Sequence, residues 1–149
     1  DFMEKVWYIY LVNDSDFQLD GVMVVSKAFG TIDGEMKKTS LLRHAFVEIP
    51  AVSVVKIEMV EKSVLVLNNE FMVTFFIGNT LYDKKYIFKA NSINENNVEE
   101  VPILFVDGVI VQKKARVKIK EARCRHKYYI LLLGSCFFFL KLPVRFFIP

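Results

Sequence analysis

Few residues in this chain combine a reactive type with a useful spacing. His44 stands beside Arg43 in an extended stretch, with Ser40 four residues before it and Glu48 four after. A general base needs an orienting group on one side and a nucleophile on the other. No G-x-S-x-G or comparable frame surrounds His44, so it reads as a strand histidine. Asp14, Asp16 and Asp20 suggest a calcium loop. Leu19 and Val25, however, occupy the positions where such a loop requires Gly and Glu. Cys124, His126 and Cys136 are soft ligands, but they lack a fourth partner at finger or ribbon spacing. There is no G-x-x-x-x-G-K phosphate loop, and residues 30–34 hold too few glycines for a dinucleotide fingerprint. No catalytic, metal-binding or cofactor-binding residue is assigned, no cofactor is expected, and the reading leans away from an enzyme.

What is left is surface. Residues 30–38 form the most loop-like part of the chain, with two glycines and charges of both signs, and they are expected to be exposed. Lys37, Lys38, Arg43, His44, Asp83 and Lys84 are the expected contact surface for a protein partner of unknown identity. Lys84 and Lys85 are neighbours on a predicted strand and point to opposite faces, so only one of them joins any given patch.

The elements that must carry these residues are strands. Residues 70–77 are aromatic and β-branched, Gly78-Asn79 follows, and residues 81–88 run back. Gly then Asn suits a two-residue type II′ turn. Both faces of the first of these strands are largely apolar, which predicts a place inside a sheet with at least partial cover on both sides. Residues 6–12 and 22–29 are two further strands around the turn-former run 13–16. Residues 39–49 resume extended structure until Pro50. In residues 52–60, Val55, Ile57 and Met59 are expected inward and Lys56 and Glu58 outward. Residues 61–67 suit a helical turn or an extended link, and Ser92 to Glu95 has capping-box spacing. Asp107-Gly108 reads as a hairpin turn between residues 103–105 and 109–111. Short strands with regular turn signals predict an all-β fold, specifically an immunoglobulin-like antiparallel β-sandwich.

Charge divides the chain near residue 111. Residues 1–111 carry ten Lys/Arg and sixteen Asp/Glu; residues 112–149 carry ten Lys/Arg and one acid, Glu121. The whole-chain net charge of +3 therefore averages an acidic body and a basic tail, and the body is not expected to bind nucleic acid. Both cysteines lie in the tail, which leaves the body without a disulfide framework. No basic stretch followed by an apolar run opens the chain, and a cytoplasmic location is expected. The chain opens on Asp1 rather than Met, so a missing leader or first strand is also expected.

The expected organisation is thus a sandwich over residues 1–111 and a non-globular or non-native tail over 112–149. Residues 128–140 are apolar but short of the roughly 20 residues that cross a membrane. They are the only segment through which a membrane would be reached. The basic run before them fits no nucleic-acid module. The abrupt inversion of charge and the Phe-Phe-Phe run favour a shifted reading frame after Gln112.

Stretches such as 10–17 (Tyr-Leu-Val-Asn-Asp-Ser-Asp-Phe), 67–76 and 81–88 carry a resemblance. Residues 7–111 resemble a family of small uncharacterised bacterial proteins often labelled phenylalanyl-tRNA synthetase subunit alpha. The resemblance implies a strand upstream of Asp1, no counterpart to the tail, and a synthetase-associated or tRNA-contacting role. Arg43, the one arginine in residues 1–111, is followed by His-Ala rather than by the acid of a class II synthetase arginine motif. No catalytic residue is carried over.

Overall fold

The structure, a computed structural model, describes residues 6–111 and, as backbone, residues 127–135. The strands in chain order are β1 (Val6–Asp14), β2 (Leu19–Ile32), β3 (Glu35–Lys38), β4 (Leu42–Ile49), β5 (Ser53–Val60), β6 (Asn68–Ile77), β7 (Thr80–Phe88), β8 (Glu99–Glu100), β9 (Asp107–Val111) and β10 (Lys127–Ser135). Single 3-10 turns occupy Lys62–Val64 and Glu95–Asn97. The strands form two antiparallel sheets, one in the order β5-β1-β10-β9-β8 and the other in the order β3-β2-β6-β7. β4 also lies on β2, pairing with its first half where β3 pairs with its end.

The two sheets pack face to face as a β-sandwich. Trp7, Ile9 and Leu11 of β1 and Val109 of β9 meet Val22 and Val24 of β2, Phe71, Val73 and Phe75 of β6, and Tyr86 and Phe88 of β7 in one buried cluster. Phe71 and Phe88 touch edge to face, with ring centroids 6.0 Å apart. Alternation along each strand supplies this face, as apolar residues at every second position must. A smaller cluster covers the other side of β1, where Val12 packs with Val101.

The β6–β7 hairpin turns at Gly78-Asn79 as its sequence predicts: Ile77 opposes Thr80 and Gly78 takes φ +58°. The second face of β6 is covered only in part: Glu70 is buried there, but Met72 and Phe76 are exposed.

Several expectations need correction. Residues 30–38 are not an open loop but the end of β2, a tight turn and β3. Asp33 and Gly34 both have positive φ (52° and 79°), as a type I′ turn demands. Asp107-Gly108 does not turn a hairpin; it opens β9, opposite Glu99 and Glu100. The helical turn expected from Ser92 is capped instead by Asn94, whose side chain accepts from the Asn96 N–H at 2.9 Å.

The break at residue 111 does not hold throughout. Residues 127–135, expected in a non-globular tail, form β10 between β1 and β9. The run is rich in Tyr, Ile and Leu, residues compatible with a strand in the interior of a sheet. Residues 112–126 and 136–149, with the cysteine–histidine cluster, the basic run and most of the expected frame-shifted segment, lie outside the described residues.

A polar knot closes one end of the sandwich. Asn13, fully buried, donates through Nδ2 to the carbonyls of Phe17 (2.8 Å) and Pro50 (2.7 Å). Ser15 Oγ donates to Asn13 Oδ1 at 2.6 Å. The turn-former run after β1 is thereby tied to the Pro50 break after β4.

Candidate functional site

Two features of the surface have a defined geometry: a cleft at the open side of the sandwich and the outer face of the second sheet. The cleft exists because of a bulge. Ile9 opposes Glu58 while Tyr10 opposes Lys56, leaving Ile57 as an extra residue in β5. An extra residue shifts the alternation by one. Val55 and Ile57 face inward as expected, but beyond the bulge Glu58 and Val60 turn in and Met59 turns out, exposed. The expected outward Glu58 and inward Met59 are therefore exchanged.

Glu58 now points across to the second sheet. Ser26 Oγ of β2 donates to Glu58 Oε2 at 2.9 Å. His44 Nε2 of β4 lies 2.6 Å from the same oxygen. The Glu58 side chain is 14% exposed, at the floor of a cleft of about 230 Å³ whose wall includes Thr39, Ser40, Glu61 and Asn69. With the carboxylate ionised it can only accept, so both Ser26 and His44 donate to it.

This order defines what the cluster can do. In a hydrolytic triad the imidazole sits between serine and carboxylate and removes the hydroxyl proton. Here the carboxylate sits in the middle, and the Ser26 proton goes to it. Ser26 is also buried. The arrangement fits a cross-sheet clamp rather than a nucleophile with its base. Among the described residues no group of three His, Cys, Asp or Glu side chains is placed to hold a metal ion.

The second feature is the outer face of β4-β2-β6-β7. Registers set Arg43 opposite Val25, Val25 opposite Met72, and Met72 opposite Lys85. Met23 opposes Ala45 and Thr74, Phe76 opposes Leu81, and Glu70 opposes Lys27 and Ile87. Met23, Met72, Phe76, Leu81 and Ile87 are all exposed on this one face. Glu70, by contrast, is buried there, with Lys27 and Lys85 each 3.2 Å from one of its oxygens. The lysine stems shield the carboxylate while their heads reach water.

The six expected contact residues do not form one cluster. Lys37 and Lys38 lie on β3, exposed, and Lys37 pairs with Glu35 at 2.6 Å. Arg43 and Asp83 share the outer face, but on β4 and β7, at its two edges; three strand spacings separate them, about 14 Å. Thr74 Oγ1 donates to Asp83 at 3.2 Å. His44 and Lys84, each one position along, point to the opposite side of the sheet. Sequence reasoning missed Ser26 and Glu58. The bulge that turns Glu58 inward has no sequence signature, whereas Ser26, a polar residue in the inward series with Val22 and Val24, carried a signal.

Among the described residues no helix is long and apolar enough to cross a membrane. Comparison with protein-family models, curated proteins and solved structures returns no match. The class of protein defined by this fold is a two-sheet antiparallel β-sandwich.

Proposed function

We propose that this chain is a non-enzymatic, immunoglobulin-like β-sandwich module that binds a protein partner through the outer face of β4-β2-β6-β7. The exposed apolar series Met23, Met72, Phe76, Leu81 and Ile87 on that face is the observation that carries the reading. Contiguous exposed apolar area on a folded domain marks an interaction surface more often than chance. The immunoglobulin-like assignment is supported by connectivity. The chain changes sheet between β1 and β2, between β4 and β5, between β5 and β6 and between β7 and β8, while β6 and β7 stay together as a hairpin. The central carboxylate of the Ser26–Glu58–His44 cluster supports a structural role for that cluster.

The partner presents an apolar surface, with carboxylates at its rim to meet Lys27, Arg43 and Lys85. The test compares the full chain with its Met72→Lys/Phe76→Lys double variant as baits, after thermal melting has matched the two. A partner retained by the full chain and lost by the variant supports the reading. Equal retention by both, or turnover in an activity screen, overturns it.

A further inference from the structure

β10 is the keystone of the first sheet. All nine of its residues oppose β1, from Val6 against Ser135 to Asp14 against Lys127, and four of them also oppose β9. Without it β1 would keep only β5, and β9 would keep only the two residues of β8. Nor is β1 built as an edge. Ile9 and Val12 alternate to opposite faces, and both are 0% exposed. A strand covered on both faces needs partners on both edges, because its main-chain N–H and C=O groups have no water to bond.

The way β10 is attached is equally unusual. Antiparallel neighbours are normally joined by about 2–5 residues. Here β9 ends at Val111 and β10 begins at Lys127, so residues 112–126 make the link. That link carries seven Lys/Arg and one acid, against a body of net −6 over residues 1–111. A segment of many more residues than a hairpin needs, and opposite in charge to the body, joins the core strand to the rest.

The geometry points to a strand-acceptor site: the channel between β1 and β9 takes an extended apolar segment running antiparallel to β1. Residues 127–135 are its tethered occupant, and the same segment of a second copy of the chain replaces them. The channel supplies main-chain partners on both sides, which fix direction and register. The sequence of 128–133 is continuously apolar, a composition favoured in central strands. Exchange is reciprocal, so two copies that trade this strand close as a two-fold dimer with both channels filled. The tether sets the conditions. A covalent link of this number of residues holds its strand at an effective concentration on the order of millimolar. Exchange is therefore negligible at micromolar protein and appears near millimolar, or at far lower concentration once the link is cut.

The experiment places a specific protease site within residues 112–126 of the full chain. The probe is a fluorescent synthetic peptide of residues 127–135. After cleavage, the C-terminal fragment is expected to stay with the body through gel filtration. The peptide should then exchange into the cut protein saturably at micromolar concentration, with at least tenfold weaker uptake by the uncut protein. A Leu131→Pro peptide, lacking one ladder N–H, should not enter. Three results overturn the proposal: release of the fragment with β1 amides still protected from hydrogen exchange, equal uptake by cut and uncut protein, or equal uptake of the proline peptide. Because the substitution sits in the peptide, failure of the protein to fold cannot mimic a negative result.

Discussion

Glu58 of β5 accepts the Ser26 hydroxyl of β2 at 2.9 Å, a hydrogen bond from one sheet of the sandwich to the other. His44 adds a second contact to the same oxygen, so one carboxylate joins three strands. Hydrogen bonds to an ionised acceptor are worth roughly 1.5–3 kcal/mol each. Glu58→Ala is expected to cost about 1–3 kcal/mol, because it strands the buried Ser26 hydroxyl. Ser26→Ala should cost less, since His44 remains on the carboxylate. Urea midpoints of the two single variants and the double variant check this. Additive losses would show that the clamp is not coupled.

The knot around Asn13 makes a sharper prediction. Its side chain is fully buried and serves the carbonyls of Phe17 and Pro50 together. Asn13→Ala removes one donor from each carbonyl and the nearest acceptor of Ser15 Oγ, leaving the weaker Ser15–Phe17 contact at 3.2 Å and the Ser53 hydroxyl on Pro50. A loss of about 1–3 kcal/mol is expected by chemical denaturation. A change below about 0.5 kcal/mol would mean that water replaces the amide.

Neighbouring phenylalanines on β6 should respond in opposite ways. Phe75 is 1% exposed and stacks on Tyr82 at 5.5 Å, while Phe76 is 42% exposed. Phe75→Ala is expected to cost about 3–5 kcal/mol. Phe76→Thr should change stability by no more than about 0.5 kcal/mol. Similar costs at both positions would contradict the unequal cover of this strand's two faces.

That hairpin was the most legible part of the chain, because alternation, aromatic content and Gly78-Asn79 all point the same way. Asp33-Gly34 carried an equally good turn signal, hidden by the polar residues around it that read as a loop. β5 was legible as a strand but not in its facing. The alternation of Val55, Lys56, Ile57, Glu58 and Met59 is regular, and only the pairing with β1 reveals the extra residue. The cleft was illegible for that reason, since Glu58 is its floor. β10 was not legible because the inversion of charge at residue 111 has the form of a domain boundary, although residues 128–133 have strand composition. The outer-face series was legible only in part. Met72 and Phe76 were visible as an apolar second face, but their exposure depends on the fact that, among the described residues, no element packs over that sheet.

Alkaline pH should weaken the fold through Tyr10. Burial, and then the neighbouring Tyr8, push its phenol above the usual tyrosine range. An acid whose folded value is raised is favoured in its neutral form. Its contribution to stability is complete below the unfolded value of about 10 and is lost as pH rises through the higher folded value. Tyr10→Phe should therefore lose less stability than the parent above about pH 10, and should lack one late-titrating phenolate absorbance. Identical titrations of parent and variant would remove this assignment.

Residues 127–135 complete the first sheet beside β1. Amide hydrogen exchange of the full chain, resolved by residue, measures this directly. The amides of Val6–Asp14 and of Lys127–Ser135 that face one another are expected to be protected together, on the slow scale of the β6 core. Rapid exchange throughout residues 127–135, with β1 protected regardless, would contradict it.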